Sequence, residues 1–209
     1  MAMILYSGSI LALARKALER SKTDHDEAVV CLILSAASVE GFLNEAIELA
    51  AAQRGEPTCS IGKIGAELDE EHGKTSSKLR LMHYLFVGKR LDEGSQPYQD
   101  FALLVSIRNA IMHLRPDKVH WDPEKEPGRE FDLKPHALVE RLIKRKVVLP
   151  PPKQFAPFLQ QCIRHPAVGL WGHNTAVRMR KFIAGMAKPG TGFRIQLSLH
   201  IELEKEVGA

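Results

Sequence analysis

The spacing of apolar residues along the chain predicts a mostly α-helical protein. Apolar positions recur roughly every three to four residues over long segments, and glycine, proline or polar residues separate those segments. The segments are residues 4–20, 26–54, 77–91, 97–114, 135–146, 155–164 and 167–187, with a weaker candidate at 61–72. Segment 26–54 is apolar on nearly every face, which predicts a central helix that is buried on several sides.

The stretches between and after these helices define the expected domain organisation. Residues 115–134 are polar and contain proline and glycine, which predicts a long loop of the kind that often carries function. Residues 193–203 alternate between apolar and polar positions, which predicts an edge strand or a segment ordered only against a partner. We therefore expect an all-α fold with a C-terminal extension that includes a short strand. The helical domain would span residues 1–187, with its core at 1–115 and its extension at 134–187, and residues 188–209 would form a tail.

Composition adds expectations about partners and compartment. Aromatic residues make up only 6% of the chain and apolar residues 44%, which suits packed helices better than a β-sandwich. The formal net charge of +4 and the pI near 9.0 permit binding to a polyanion such as RNA. Cys31, Cys59 and Cys162 are scattered, so they predict neither a disulfide framework nor a metal site, and they favour a reducing cytoplasm. The apolar run at 28–34 is far shorter than a membrane span, so no membrane association is expected.

The predicted helix over residues 97–114 has two different faces. At about 100° per residue, one face is apolar and should pack on the core of its own chain. Its members are Leu103, Ile107, Ala110, Ile111 and Leu114. The opposite face mixes two apolar residues with three polar ones. Its members are Val105, Arg108, Asn109, Met112 and His113. We interpret this second face as a contact surface between two chains, with Val105 and Met112 in the interface.

The three polar residues of the second face suit RNA cleavage without a metal. Arg108 can hold a phosphate through two parallel hydrogen bonds. Histidine exchanges a proton near neutral pH, so His113 can take the proton of a 2′-hydroxyl or protonate the leaving oxygen. Asn109 lies one turn before His113 and can hydrogen-bond the histidine or the phosphate. A 2′-hydroxyl that attacks its own phosphate needs no external nucleophile, so positioning and proton transfer suffice.

The run Arg108-Asn109-Ala110-Ile111-Met112-His113 matches the R-N-x-x-x-H motif of HEPN domains, and residues 37–45 are similar to the second helix of many HEPN proteins. The resemblance covers about residues 1–115. It implies a helical bundle that dimerises through the motif helices, so that each active site combines residues of two chains. It also implies a metal-independent endoribonuclease without a cofactor, as found in toxin–antitoxin, CRISPR and phage-defence systems. An antitoxin or a nucleotidyltransferase would be a partner besides RNA.

The spacing alone is not specific, because the chain holds three Arg-x-x-x-x-His matches. The match at 20–25 crosses a turn and the match at 115–120 lies in the predicted loop, so only the third is helical. Two structural interpretations also stay open for the motif itself. His113 can simply cap the end of its helix, where a cation is favoured. Arg108 can pair with Glu40 in the core, which would also orient the guanidinium for catalysis.

Two further alternatives concern the basic residues and the activity. Lys144, Arg145 and Lys146 form either a solvated helix end or, with Arg115, a patch that contacts phosphates beside the cleft. The main alternative to a ribonuclease is a non-catalytic HEPN module that binds a nucleotide, RNA or a partner protein. A purely structural helical dimer is a third possibility.

Overall fold

The structure is a computed structural model that describes residues 6–52, 75–113, 136–150, 159–187 and 205–208. These ranges contain helices and no strand, so the predicted all-α fold is confirmed for them. The helices are α1 (Ser7–Arg20), α2 (Asp26–Ala52), α3 (Thr75–Val87), α4 (Tyr98–Met112), α5 (Ala137–Lys144), α6 (Leu159–Ile163) and α7 (Pro166–Gly185). The predicted helix at 61–72, the loop at 115–134 and the strand at 193–203 lie outside the described residues.

The ends of the helices follow local chemistry. α2 begins where predicted, because Asp24 Oδ1 accepts a hydrogen bond from the Asp26 backbone N–H at 3.0 Å. α3 ends at Val87 rather than at residue 91. Gly88 follows with φ +76°, a left-handed conformation that favours glycine, and its N–H donates to the Tyr84 carbonyl at 2.8 Å. Leu91 therefore lies outside the helix, yet it is still buried against the core.

Helix α2 is the centre of the bundle, as its apolar pattern predicts. It contacts α1, α3, α4 and α7. Its segment Asp26–Ala50 is long and apolar enough to cross a membrane by length and composition, and 56% of the tested stretch is buried inside the protein. The apolar surface of α2 is thus used largely for packing against the neighbouring helices.

Small residues let α7 approach α2 closely. A Cβ atom on Gly172 would lie 2.6 Å from Leu32 Cδ2, so any larger residue would displace that leucine. A Cβ atom on Gly169 would lie 3.4 Å from the Cα and Cβ atoms of Ala28. This close contact fixes α7 along the N-terminal half of α2.

A buried arginine joins the same two helices farther along. Arg180 is fully buried, and its guanidinium carbon lies 4.3 Å above the centroid of the Phe42 ring. Its Nη1 donates to the Ser38 carbonyl at 2.9 Å. Hydrogen bonding and the aromatic face offset the cost of removing this cation from water.

A carboxylate from α2 holds the start of α1. Glu45 Oε1 accepts from the backbone N–H groups of Tyr6 and Ser7 at 2.6 and 2.8 Å, and Glu45 Oε2 accepts from the Ser7 hydroxyl. The first N–H groups of a helix have no partner within it, and a negative charge there is favourable. Glu45 thus acts as a cap supplied from another helix.

A second polar network fixes the start of α4, the helix that carries the motif. Asp100 Oδ1 accepts from Arg145 Nε at 2.6 Å and from Gln96 Nε2 at 3.2 Å. Asp100 Oδ2 lies 3.7 Å from Arg178 Nη2, and Arg178 also pairs with Glu206 at 3.0 Å. The Asp100 side chain is only 13% exposed, so this network ties α4 to α5 and α7 in a largely desolvated place.

We expect Asp100→Ala to destabilise the fold by about 1.5–3 kcal/mol, because it removes charge-assisted hydrogen bonds and leaves Arg145 partly buried without its acceptor. Glu19→Ala is the matched control, since it breaks the exposed Arg15–Glu19 pair of α1, and a loss below about 0.5 kcal/mol is expected there. Urea unfolding followed by circular dichroism measures both. Equal losses in the two variants would show that the Asp100 network contributes no more than a surface pair.

Candidate functional site

The predicted pairing of Glu40 and Arg108 is confirmed. α2 and α4 pack so that Arg108 Nη2 donates to Glu40 Oε1. Each of the two side chains is 26% exposed, so the pair lies at the edge of the bundle. The apolar pattern of α2 had predicted a position in the core. Arg108 is thus held by a fixed acceptor while part of its side chain still reaches solvent.

Helix α3 brings two more polar residues to this pair. Thr75 Oγ1 donates to Glu40 Oε1 at 3.2 Å. Lys78 Nζ donates to Asn44 Oδ1 at 3.2 Å, and Asn44 lies one turn after Glu40 on α2. We call Glu40, Asn44, Thr75, Lys78 and Arg108 the polar cluster. It joins three helices around one carboxylate.

Lys78 is a charged member of the polar cluster that the sequence did not single out. It is 7% exposed, which is unusual for a lysine. Burial lowers the pKa of Lys78, and the negative charge of Glu40 acts in the opposite direction. Glu40 therefore interacts with two cations. The sequence carries no signal for this burial, because Lys78 lies among polar residues at the start of a short helix, where a lysine is ordinarily solvated.

The remaining motif residues lie at the C-terminal end of α4. Asn109, Met112 and His113 are all exposed. α4 ends at Met112, so His113 caps the helix and is not part of it, whereas the prediction carried the helix to residue 114. The His113 N–H donates to the Asn109 carbonyl at 2.9 Å, and among the described residues no side-chain hydrogen bond joins the two. His113 thus occupies the capping position of the structural interpretation, with its ring open to solvent.

The two faces of α4 are only partly as predicted. Leu103 and Ile107 are fully buried, as expected for the core face. On the second face Met112 is 58% exposed. Val105, by contrast, is half-buried and packs against the core of its own chain. The exposed apolar surface beside the motif is therefore smaller than the sequence predicted and is centred on Met112.

One member of the predicted basic patch is engaged within the fold. Arg145 donates to Asp100, and its side chain is 21% exposed, so its guanidinium joins the end of α5 to α4. Sequence alone placed it in a solvated run because its partner lies 45 residues away. Lys144 and Lys146 are exposed. Arg115 lies outside the described residues.

Comparison with known protein families, with curated protein sequences and with solved structures finds no match to this chain. The HEPN resemblance therefore stays a prediction that rests on the motif at 108–113 and on residues 37–45. Within the described ranges, no group of three or more histidine, cysteine, aspartate or glutamate residues is placed to hold a metal ion.

Proposed function

We propose that this protein is a HEPN-type endoribonuclease that acts as a homodimer, cleaves RNA without a metal, and serves in a toxin or defence system. The observation that carries the proposal is the state of Arg108: Glu40 holds its guanidinium, and about a quarter of its side chain remains exposed. The test is incubation of the purified protein with RNA in EDTA, followed by analysis of the new ends.

The proposed reaction is an internal transfer at phosphorus. The 2′-oxygen attacks the adjacent phosphorus, and the bond from phosphorus to the 5′-oxygen of the next nucleotide breaks. His113 accepts the 2′-hydroxyl proton or delivers a proton to the departing 5′-oxygen. Arg108 binds the phosphate and offsets the charge that builds up on its oxygens. The products end in a 2′,3′-cyclic phosphate and a 5′-hydroxyl, so the atoms and the proton balance.

The geometry of α4 supports a site made by two chains. Arg108 and His113 are five residues apart, which separates them by about 140° around the helix axis and about 7.5 Å along it. Glu40 holds Arg108 on one side. This separation favours a site in which the two groups that act on one phosphate come from different chains. Two copies related by a two-fold axis at Met112 would set the arginine of one chain against the histidine of the other.

The second candidate function is a non-catalytic module that binds a nucleotide, RNA or a partner protein. The ion pair with Glu40 favours it, because a guanidinium that is already paired is less free to stabilise the charge that develops on a phosphate during cleavage. One assay distinguishes the two functions: a ribonuclease creates new RNA ends, and a binding module binds the RNA and leaves it intact.

We expect Met112→Glu to weaken dimerisation by roughly ten- to hundredfold, because the substitution places an unpaired charge in the proposed interface. Leu13→Glu is the control, since Leu13 is a similarly exposed apolar residue on α1, away from the motif helix. Sedimentation velocity over a concentration series measures both. A wild-type protein that stays monomeric, or a Met112→Glu variant that dimerises normally, would contradict the proposed interface.

RNA binding is expected to weaken as salt rises, because phosphate contacts release bound cations. The His113→Ala variant should be used for this titration so that the RNA remains intact. Lys144→Ala and Lys146→Ala should each reduce the slope of log affinity against log salt by about 0.7–0.9 if the residue contacts one phosphate. Affinity that does not change with salt would contradict phosphate-dominated binding.

A further inference from the structure

A cleft of about 620 Å³ lies between α3 and the segment that follows it. We call it the α3 cleft. Its lining residues are Arg80, Leu81, Tyr84, Arg90, Leu91 and Glu93. The volume falls within the usual range for a small-molecule site. Three of the six lining residues are charged, which suits a charged ligand better than an apolar one.

The segment opposite α3 is held in place, so the α3 cleft is preformed. His83 Nδ1 makes a hydrogen bond of 2.9 Å with the Lys89 carbonyl, and the His83 ring stacks on Phe182. Leu91 is 8% exposed and is part of the core. Arg90 lies between these two fixed points, so its backbone is held while its side chain is exposed. A preformed site binds with less ordering cost than a flexible one.

The two arginines of the α3 cleft differ in their state. Arg80 is paired with Glu93, through Nε to Oε1 at 2.8 Å and Nη2 to Oε2 at 3.0 Å. The neighbouring Tyr98 and the charge of Glu93 raise the pKa of Arg80. Arg90 has no acidic partner within the described ranges. Arg80 is thus a paired residue in the wall of the α3 cleft, and Arg90 can bind an anion.

Tyr84 supplies a flat surface in the same cleft. Its side chain is 56% exposed, although most of the large aromatic and aliphatic residues of α3 and α4 are covered. An exposed aromatic ring stacks on a nucleobase, and it does so with any base because every base has a π-face. An arginine beside such a ring supplies the charge for the phosphate.

We propose that the α3 cleft binds a nucleotide, with the base stacked on Tyr84 and the phosphate held by Arg90. The charge of Arg90 and the aromatic face of Tyr84 together match a phosphate ester of an aromatic base better than a simple anion or an apolar ligand. The nucleotide is either free or one unit of a single-stranded nucleic acid. This site does not use the motif residues of α4, so it stands whether or not the protein cleaves RNA.

Isothermal titration with AMP, adenosine, inorganic phosphate and a short deoxyadenosine oligonucleotide tests the proposal on the full-length protein. Tyr84→Leu should weaken AMP binding roughly 5- to 100-fold through lost stacking. Arg90→Ala should weaken it about tenfold or more through a lost charge-assisted hydrogen bond. The matched controls are Lys89→Ala, which removes the neighbouring positive charge, and Tyr6→Leu, which removes another exposed tyrosine. Both controls should bind AMP as the wild type does.

Each outcome decides the proposal. The proposal is supported if AMP binds more tightly than adenosine or phosphate. The affinity for AMP must also fall in Tyr84→Leu and Arg90→Ala and stay unchanged in the two controls. A higher affinity per site for the oligonucleotide then assigns the site to single strands, and a higher affinity for AMP assigns it to a free nucleotide. The absence of binding by both AMP and the oligonucleotide, or equal binding in all variants, overturns the proposal. If the Arg90→Ala protein does not fold, Arg90→Lys is measured in its place. It keeps the charge and should retain part of the affinity for AMP.

Discussion

Replacing His113 with alanine is expected to lower the rate of RNA cleavage by about 10²–10⁴-fold, the contribution of a positioned acid or base. Histidine is the residue type used most often as a general acid or base, and His113 is the one histidine of the motif. Its ring is exposed and makes no side-chain hydrogen bond within the described ranges, so its loss should leave the fold and the dimer intact. The measurement is the single-turnover cleavage rate of a labelled RNA across a range of pH.

The control for this variant is His25→Ala, which removes another exposed histidine. The His25 carbonyl accepts a hydrogen bond in the turn before α2, and within the described ranges its ring makes none. It should cleave RNA at the wild-type rate. If His113→Ala instead loses thermal stability and cleaves normally, His113 is a helix cap and has no role in proton transfer.

Arg108→Ala is expected to lower the cleavage rate by about 10²–10³-fold, comparable to the loss of one donor to a developing negative charge. Arg108→Lys should recover only part of the rate, because an ammonium keeps the charge but cannot present two parallel N–H donors. Glu40→Gln tests positioning separately. It keeps a hydrogen-bond acceptor for Arg108 but removes the charge, so we expect a smaller decrease in rate and a larger change in kcat than in KM.

The control for Arg108 is Arg15→Ala, a similar change in an exposed ion pair on α1. Because the Glu40–Arg108 pair is partly exposed, its loss should lower stability only modestly. An Arg108→Ala protein that is unstable but as active as the wild type would make the pair a structural contact. A full rescue by lysine would show that charge alone is enough.

Most of the fold could be predicted from the sequence because apolar periodicity is a local signal. The spacing predicts α2 as the central helix and places Leu103 and Ile107 on the core face of α4, and both features are present. The helix ends were less accurate, since they depend on single contacts. α3 stops at a left-handed glycine, and α4 stops before His113.

The polar contacts between helices could be predicted only where a charge interrupts an apolar stretch. Glu40 does so in α2, which predicted a polar partner, and Arg108 is such a partner. Arg145 and Lys78 gave no such signal, because a lysine or arginine at a helix end or on a short helix is ordinarily solvated. Their burial depends on Asp100 and Asn44, which lie 45 and 34 residues away in the chain.

The most direct test of the proposed ribonuclease compares the products that wild-type and His113→Ala proteins make from one RNA in EDTA. We expect the wild type to make fragments that end in a 2′,3′-cyclic phosphate and a 5′-hydroxyl, and the variant to leave the RNA almost intact. RNA blocked at the 2′ position should resist both proteins. Equal cleavage by the two proteins, or RNA left whole by the wild type, would contradict the proposed function.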